Sequence, residues 1–144
     1  MYLKIKKVKI PIEIKTSFKD KLKSFRLKLS EIDSGLCFPK KRRINTYFYY
    51  QRVDLIMTDK DNKILNIFKN IPSERRYKGE KGTYFTYVFP VGVSDFYQIG
   101  DTLDVILNEK DKKILKSKES KKKNSWKKLF FIVLYKLMFY LLLF

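Results

Sequence analysis

The sequence contains no histidine and a single cysteine, and each shortage closes off chemistry. Without imidazole there is no Ser-His-Asp or Cys-His nucleophile, no imidazole proton shuttle and no His-bearing zinc site. Cys37 alone can make neither an internal disulfide nor a Cys-only metal site, which suits a reducing compartment. It sits in the apolar run Gly35-Leu36-Cys37-Phe38, where a small core thiol is the expected role. No metal centre and no cofactor are expected. Acids are scarce too: 15 Asp and Glu stand against 33 Lys and Arg, for a formal charge of +18. A field of that sign favours polyanions or an anionic membrane face as neighbours. Alanine is missing altogether while Lys, Ile, Phe, Tyr and Asn are common, as AT-rich coding drift produces without selection for binding. The charge by itself therefore names no partner.

At 144 residues the chain has room for one sizeable core. The expected organisation is an α+β domain over 1–108, a Lys/Ser-rich linker over 109–125 and a C-terminal hydrophobic helix over 126–144. The expected fold class is a compact, antiparallel β-rich single domain, barrel-like or a sandwich, with one short helix near the N-terminus. Met1 to Lys15 never builds a continuous apolar run of about seven residues, so no signal peptide is expected there. From Val8 the alternation is strict: Val8, Ile10, Ile12 and Ile14 share one face of a strand. Leu3 and Ile5 keep the opposite parity, so Lys6-Lys7 should hold a bulge or bend. Pro11 cannot donate to a ladder and predicts an edge strand. Phe18, Leu22, Phe25 and Leu29 recur at helical intervals, and a short amphipathic helix is expected from about Ser17 to Leu27. Gly35 to Phe38 reads as a brief buried strand. Ile44 to Met57 reads as one long strand, joined through Asp59 to Lys63 to Ile64–Phe68 as a hairpin. Ser73 to Gly82 reads as a polar loop, Thr83 to Pro90 as a strand, Val93 to Ile99 as a short turn or helix, and Thr102 to Leu107 as the closing strand. The pair Asp59 and Asp61 hints at a calcium loop, but the downstream Gly and closing Glu are missing.

The chain ends in a block running from Trp126 to Phe144 that includes Leu129, Phe130, Phe131, Ile132, Val133, Leu134, Leu137, Phe139 and Leu141. A bilayer core takes roughly 20 helical residues and tolerates about 17. Lys136 opposes insertion by about 2.5–3.5 kcal/mol, but each Leu, Ile, Phe or Val returns roughly 0.3–0.6, so insertion is expected. Lys121 to Lys123 and Lys127-Lys128 precede the block. The positive-inside rule then predicts a single-pass protein of the cell membrane whose main domain is cytoplasmic, with Trp126 at the interface and lipid as a partner.

Ile44 to Met57, the acidic turn Asp59 to Ile64, Pro72 with Arg75-Arg76, Tyr87-Val88-Phe89-Pro90-Val91-Gly92, and Ile99-Gly100-Asp101-Thr102-Leu103 follow one another in an order that resembles the prokaryotic family known as domain of unknown function 192. Upstream, Phe25-Arg26 and Gly35-Leu36-Cys37-Phe38 match in order, so the resemblance covers about residues 10–107. Asn45, Phe48, Tyr49 and Arg52 stand where the family tends to have His, Gly, Met and Pro. The resemblance implies a compact α+β fold rich in antiparallel strands, and it implies no reaction.

Asp54 is the residue to single out, since a carboxylate between Val53 and Leu55 is costly to bury without donors. It is expected to tie a loop as a hydrogen-bonded acceptor, to pair with Arg52 or Arg76, or to anchor a ligand pocket with Arg52, Arg76 and Tyr49. The run Lys40 to Arg43 followed by Tyr47, Phe48, Tyr49 and Tyr50 could grip RNA, although a single strand would split the four rings two and two between its faces. Arg75, Arg76, Lys78 and Lys81 form a second basic run, interspersed with Glu74 and Glu80. Three functions follow. The leading one is a membrane-tethered module that binds a small ligand or a protein and performs no chemistry. The others are an RNA-binding module, and a hydrolase or transferase using Asp54.

Overall fold

The computed structural model describes residues 1–16, 25–117 and 129–135. The chain divides into two units, Met1–Leu107 and Asn108–Phe144.

The first unit is β-rich. Its strands are β1 (Tyr2–Ile5), β2 (Val8–Ile14), β3 (Gly35–Pro39), β4 (Arg43–Asn45), β5 (Val53–Thr58), β6 (Ile64–Ile71), β7 (Arg76–Lys78), β8 (Phe85–Pro90) and β9 (Val105–Ile106), with a 3-10 turn at Val93–Phe96. Seven of them form a sheet ordered β6-β5-β8-β3-β2-β1-β9, and β4 pairs with β7 as a separate ribbon. The sheet curls into a half-barrel, and an isolated bridge, Lys63↔Thr102, links the start of β6 to the segment before β9. Ile64 donates to the Asp101 carbonyl at 2.8 Å, Gly100 to Ile64 at 2.9 Å and Leu103 to Asn62 at 2.9 Å, which brings the approach to β9 against the start of β6. Apart from the parallel pair β2–β3, the ladders are antiparallel. The chain is thus a β-rich α+β protein.

Local chemistry explains most of these elements. Ile5 pairs with Val8, so Lys6-Lys7 is a two-residue hairpin turn, with Lys6 at a φ of 51°. The change of parity seen in the sequence is a chain reversal, not a bulge. β2 lies between β1 and β3, which corrects the edge assignment from Pro11. Ile12 donates to the Met1 carbonyl, on the β1 side. Successive N–H groups of a strand point to opposite sides, so the donor Pro11 lacks would have faced β3. Pairing with β3 begins only at Ile12↔Gly35, and the missing donor falls where no acceptor is waiting. The turn into β6 fits its sequence: Asn62 takes a φ of 61°, and Asp59 Oδ1 accepts from the N–H groups of Asp61 and Lys63.

The long strand expected over 44–57 is broken into β4 and β5, and residues 46–52 loop out. Thr46 is the cause. Its N–H donates to the Arg75 carbonyl at 2.9 Å, its hydroxyl donates to the Pro72 carbonyl at 2.8 Å, and its Oγ1 accepts from the Arg75 N–H at 3.1 Å. A buried Thr satisfied in this way competes with a continuing ladder. The four rings after it consequently do not alternate between two strand faces. Part of the expected polar loop is ordered as well, because 76–78 forms β7.

β5 is buried along its whole length. Val53, Leu55 and Met57 join Leu36, Phe38, Tyr49 and Val88 in the main core. On β8, Tyr87 and Phe89 stack with ring centroids 5.8 Å apart. Cys37 is fully buried and free of disulfide, as expected for a core thiol.

Of the helix expected over about 17–27, residues 17–24 lie outside the described residues. Residues 25–27 are not helical: Arg26 bridges to Tyr49, and Leu27 takes a φ of 57°. In the second unit, the stretch read as linker is helical over 109–117. Asn108 caps it, its Oδ1 accepting from the Asp111 N–H at 2.9 Å. Residues 129–135 are also helical, and Leu129, Phe130, Phe131, Ile132, Val133, Leu134 and Tyr135 are all exposed. Trp126, Leu137, Phe139 and Leu141 of the expected anchor lie outside the described residues. Among those described, no helix is long and apolar enough to cross a membrane.

Candidate functional site

Asp54 is 1% exposed and sits where β5 and β6 fall out of register. Val53 pairs with Ile71 but Leu55 pairs with Phe68, so β6 carries one extra residue there. The bulge takes the Asn70 N–H out of the ladder, and Asp54 Oδ1 accepts it at 2.8 Å. Oδ2 accepts the N–H groups of Gly92 at 2.9 Å and Ser94 at 3.0 Å, and the Ser94 hydroxyl at 2.6 Å. Gly92 reaches this position at a φ of 101°, which a side chain would strain. Three donors converge on Oδ2 and one on Oδ1, and at 1% exposure the carboxylate offers a ligand no approach. Asp54 is therefore a tie between the β6 bulge and the 3-10 turn.

The other residues grouped with Asp54 do not converge on it. Arg52 donates to the Asn70 carbonyl at 2.9 Å, holding the same bulge from the solvent side. Tyr49 is 3% exposed, in the core, with the Arg26 guanidinium 5.9 Å from its ring centroid. Arg76 lies elsewhere, on the β4–β7 ribbon.

That ribbon unites the two basic runs. Its register is Arg43↔Lys78, Ile44↔Tyr77 and Asn45↔Arg76. Paired residues share a face and faces alternate along a strand, so Ile44 and Tyr77 point one way, towards the core, while Arg43, Asn45, Arg76 and Lys78 share the other. Arg26 joins this outer face. Its Nη2 donates to Asn45 Oδ1 at 2.9 Å and its Nη1 to the Tyr47 carbonyl at 2.6 Å, while its buried Nε has no hydrogen-bond partner. Arg76 Nε donates to the Tyr47 hydroxyl at 2.8 Å, with its guanidinium 5.6 Å from that ring. Arg42 donates to the Gly79 carbonyl at 2.8 Å and fixes the other end. The result is four cationic groups, from Arg26, Arg43, Arg76 and Lys78, gathered around Asn45. Among the described residues, the ion pairs involve Lys15, Lys69 and Lys112 and none of these four. The exposed Glu74 next to this ribbon accepts the Phe48 N–H on its Oε1 at 2.9 Å and forms no ion pair with these four among the described residues.

The sequence lists these cations in separate runs, and only strand pairing sets Arg43 against Lys78. Arg26 escapes sequence reasoning because it falls in the stretch expected to be a short amphipathic helix. The rings that follow β4 are divided: Phe48 and Tyr50 are 62% and 61% exposed, while Tyr49 between them is buried. A separate open groove of about 650 Å³ runs past Lys4, Lys6, Asp61 and Asp104, where both signs of charge face one another.

Two solved structures share the fold. A protein of unknown function from Novosphingobium aromaticivorans matches with a TM-score of 0.60 at 14% identity, over 72% of this chain and 82% of its own. A Sinorhizobium meliloti protein provisionally named a transcription regulator matches with a TM-score of 0.56 at 16% identity, over 67% and 81%. At such identities the likeness shows the fold alone. No protein-family model matches the chain, and neither does any curated protein.

Proposed function

We propose that the chain is a membrane-tethered binding module that holds an anionic partner on the outer face of the β4–β7 ribbon and performs no chemistry of its own. The observation that carries this reading is Arg43 directly opposite Lys78, with Arg26 and Arg76 beside them and no carboxylate pairing with any of the four among the described residues. Like charges set opposite one another on a ribbon weaken it by a few tenths of a kcal/mol up to about 1. An anion lying across them turns that repulsion into attraction. The Sinorhizobium protein's provisional name is in keeping with an anionic partner.

Heparin affinity tests the ribbon. An Arg43→Gln/Lys78→Gln protein should elute at clearly lower salt than the parent, and lower than a Lys7→Gln/Lys9→Gln control of the same net charge. Equal elution of the two variants would leave only the overall +18 as the cause.

The tether rests on the helix over 129–135, whose apolar side chains are exposed on every side. A helix that is apolar all round is buried in protein or lipid. Lysines precede the block, so the body belongs on the cytoplasmic face. Recovery of the full chain in the soluble fraction after an alkaline carbonate wash of membranes would remove this part of the proposal. The motif order over residues 10–107 supports placing the body with the domain of unknown function 192 family, which we include in the proposal.

A further inference from the structure

We infer that the anionic partner is a single-stranded nucleic acid, with its phosphates on Arg43, Arg76 and Lys78 and its bases stacked on Phe48 and Tyr50. This rests on the polyanion reading of the ribbon and adds an independent observation, the exposed rings at one end of it. The loop that carries them leaves β4 directly after Asn45 and is fastened to the entry of β7 through Thr46, Pro72 and Arg75. Rings and cations therefore lie on adjoining segments, the ribbon and the loop that leaves it. The Phe48 backbone is also held in place. Its N–H donates to Glu74 Oε1 at 2.9 Å, its carbonyl accepts from the Leu27 N–H at 2.8 Å, and its φ of 65° is one that a bulky side chain rarely adopts. A backbone fixed at both ends, with the ring turned to solvent, suits a stacking contact better than a core side chain left unpacked.

The chemistry of the rings selects among polyanions. Heparin and lipid headgroups offer charge but no π-face, and a duplex keeps its base faces stacked inside. Unpaired bases use cations and exposed aromatics together. Tyr47 is not available for stacking in the same way, because Arg76 lies over its ring and bonds its hydroxyl.

The test uses the full chain in nonionic detergent micelles, with a fluorescently labelled 12-nucleotide uridine RNA and a duplex RNA of equal length read by anisotropy. Phe48→Asn/Tyr50→Ser removes both rings, and Asn tolerates the positive φ at position 48. That protein should bind the single strand at least tenfold more weakly with an unchanged dependence on salt. Arg43→Gln/Lys78→Gln should make the plot of log affinity against log salt shallower by about 1.4, two contacts at roughly 0.7 each. The parent should prefer the single strand to the duplex. If the ring variant matches the parent while the charge variant weakens, the polyanion reading stands and this inference falls. Equal affinity of the parent for single strand and duplex also overturns it. If neither variant differs from the parent, both readings fall. Should Phe48→Asn/Tyr50→Ser prove unfolded by circular dichroism, Tyr50→Ser alone serves, with at least a threefold loss supporting the inference and none opposing it.

Discussion

Replacing Asp54 by Asn changes one atom and should destabilise the domain severely. The carboxylate accepts three backbone N–H groups and a hydroxyl while 1% exposed. An amide has one acceptor oxygen, which would turn towards the three donors from Gly92 and Ser94. Its NH2 group would then meet the N–H of Asn70, donor against donor. Leaving that buried N–H unsatisfied costs about 1–3 kcal/mol. The three remaining bonds lose their charge-assisted character, a further loss of about 1 kcal/mol each. The sum is about 4–6 kcal/mol, a large share of the roughly 5–15 kcal/mol that stabilises an ordinary domain. In thermal unfolding followed by far-ultraviolet circular dichroism, at roughly 4 °C or more per kcal/mol, the midpoint should fall by at least about 15 °C. Ser94→Ala, which removes only the hydroxyl, should fall between the parent and Asp54→Asn. A loss under about 1 kcal/mol for Asp54→Asn would refute the reasoning. Parent-like stability combined with lost binding of some ligand would show instead that the carboxylate serves a pocket.

Gly92→Ala meets no atom near the new Cβ, but at a φ of 101° it should cost about 1–2 kcal/mol in urea unfolding, and less if the turn relaxes. Burial pushes the Tyr87 phenol well above its ordinary value, and the adjacent Cys37 adds to the shift. The folded state thus holds this proton more tightly than the unfolded chain, so the stability it contributes is complete below about pH 10 and is lost as pH rises further. Tyr87→Phe, which also gives up the 2.6 Å bond to Asn62, should be less stable at pH 8 yet lose stability less steeply than the parent above pH 10, as read by urea midpoints across that range. Cys37, fully buried, should react with a soluble thiol reagent only as fast as the domain opens; labelling within seconds in native buffer would contradict its burial.

What the sequence determined by itself was local. The turn before β6, the buried runs of β3 and β8 and the cost of burying Asp54 all follow from a few neighbouring residues, because turn chemistry and two-residue alternation act over short spans. The sequence also established the positive charge and the absence of imidazole chemistry. Tertiary structure alone decided where strands end and which runs meet. Nothing local to Ile44–Met57 shows that Thr46 bonds to residues 72–75 and breaks the strand, and nothing in either basic run shows that Arg43 faces Lys78. The position of Pro11 was likewise misleading, since a strand can lie between two neighbours while one of them begins a residue later. Backbone pairing between distant residues depends on the closure of the whole sheet, and that closure is a property no short window of sequence contains.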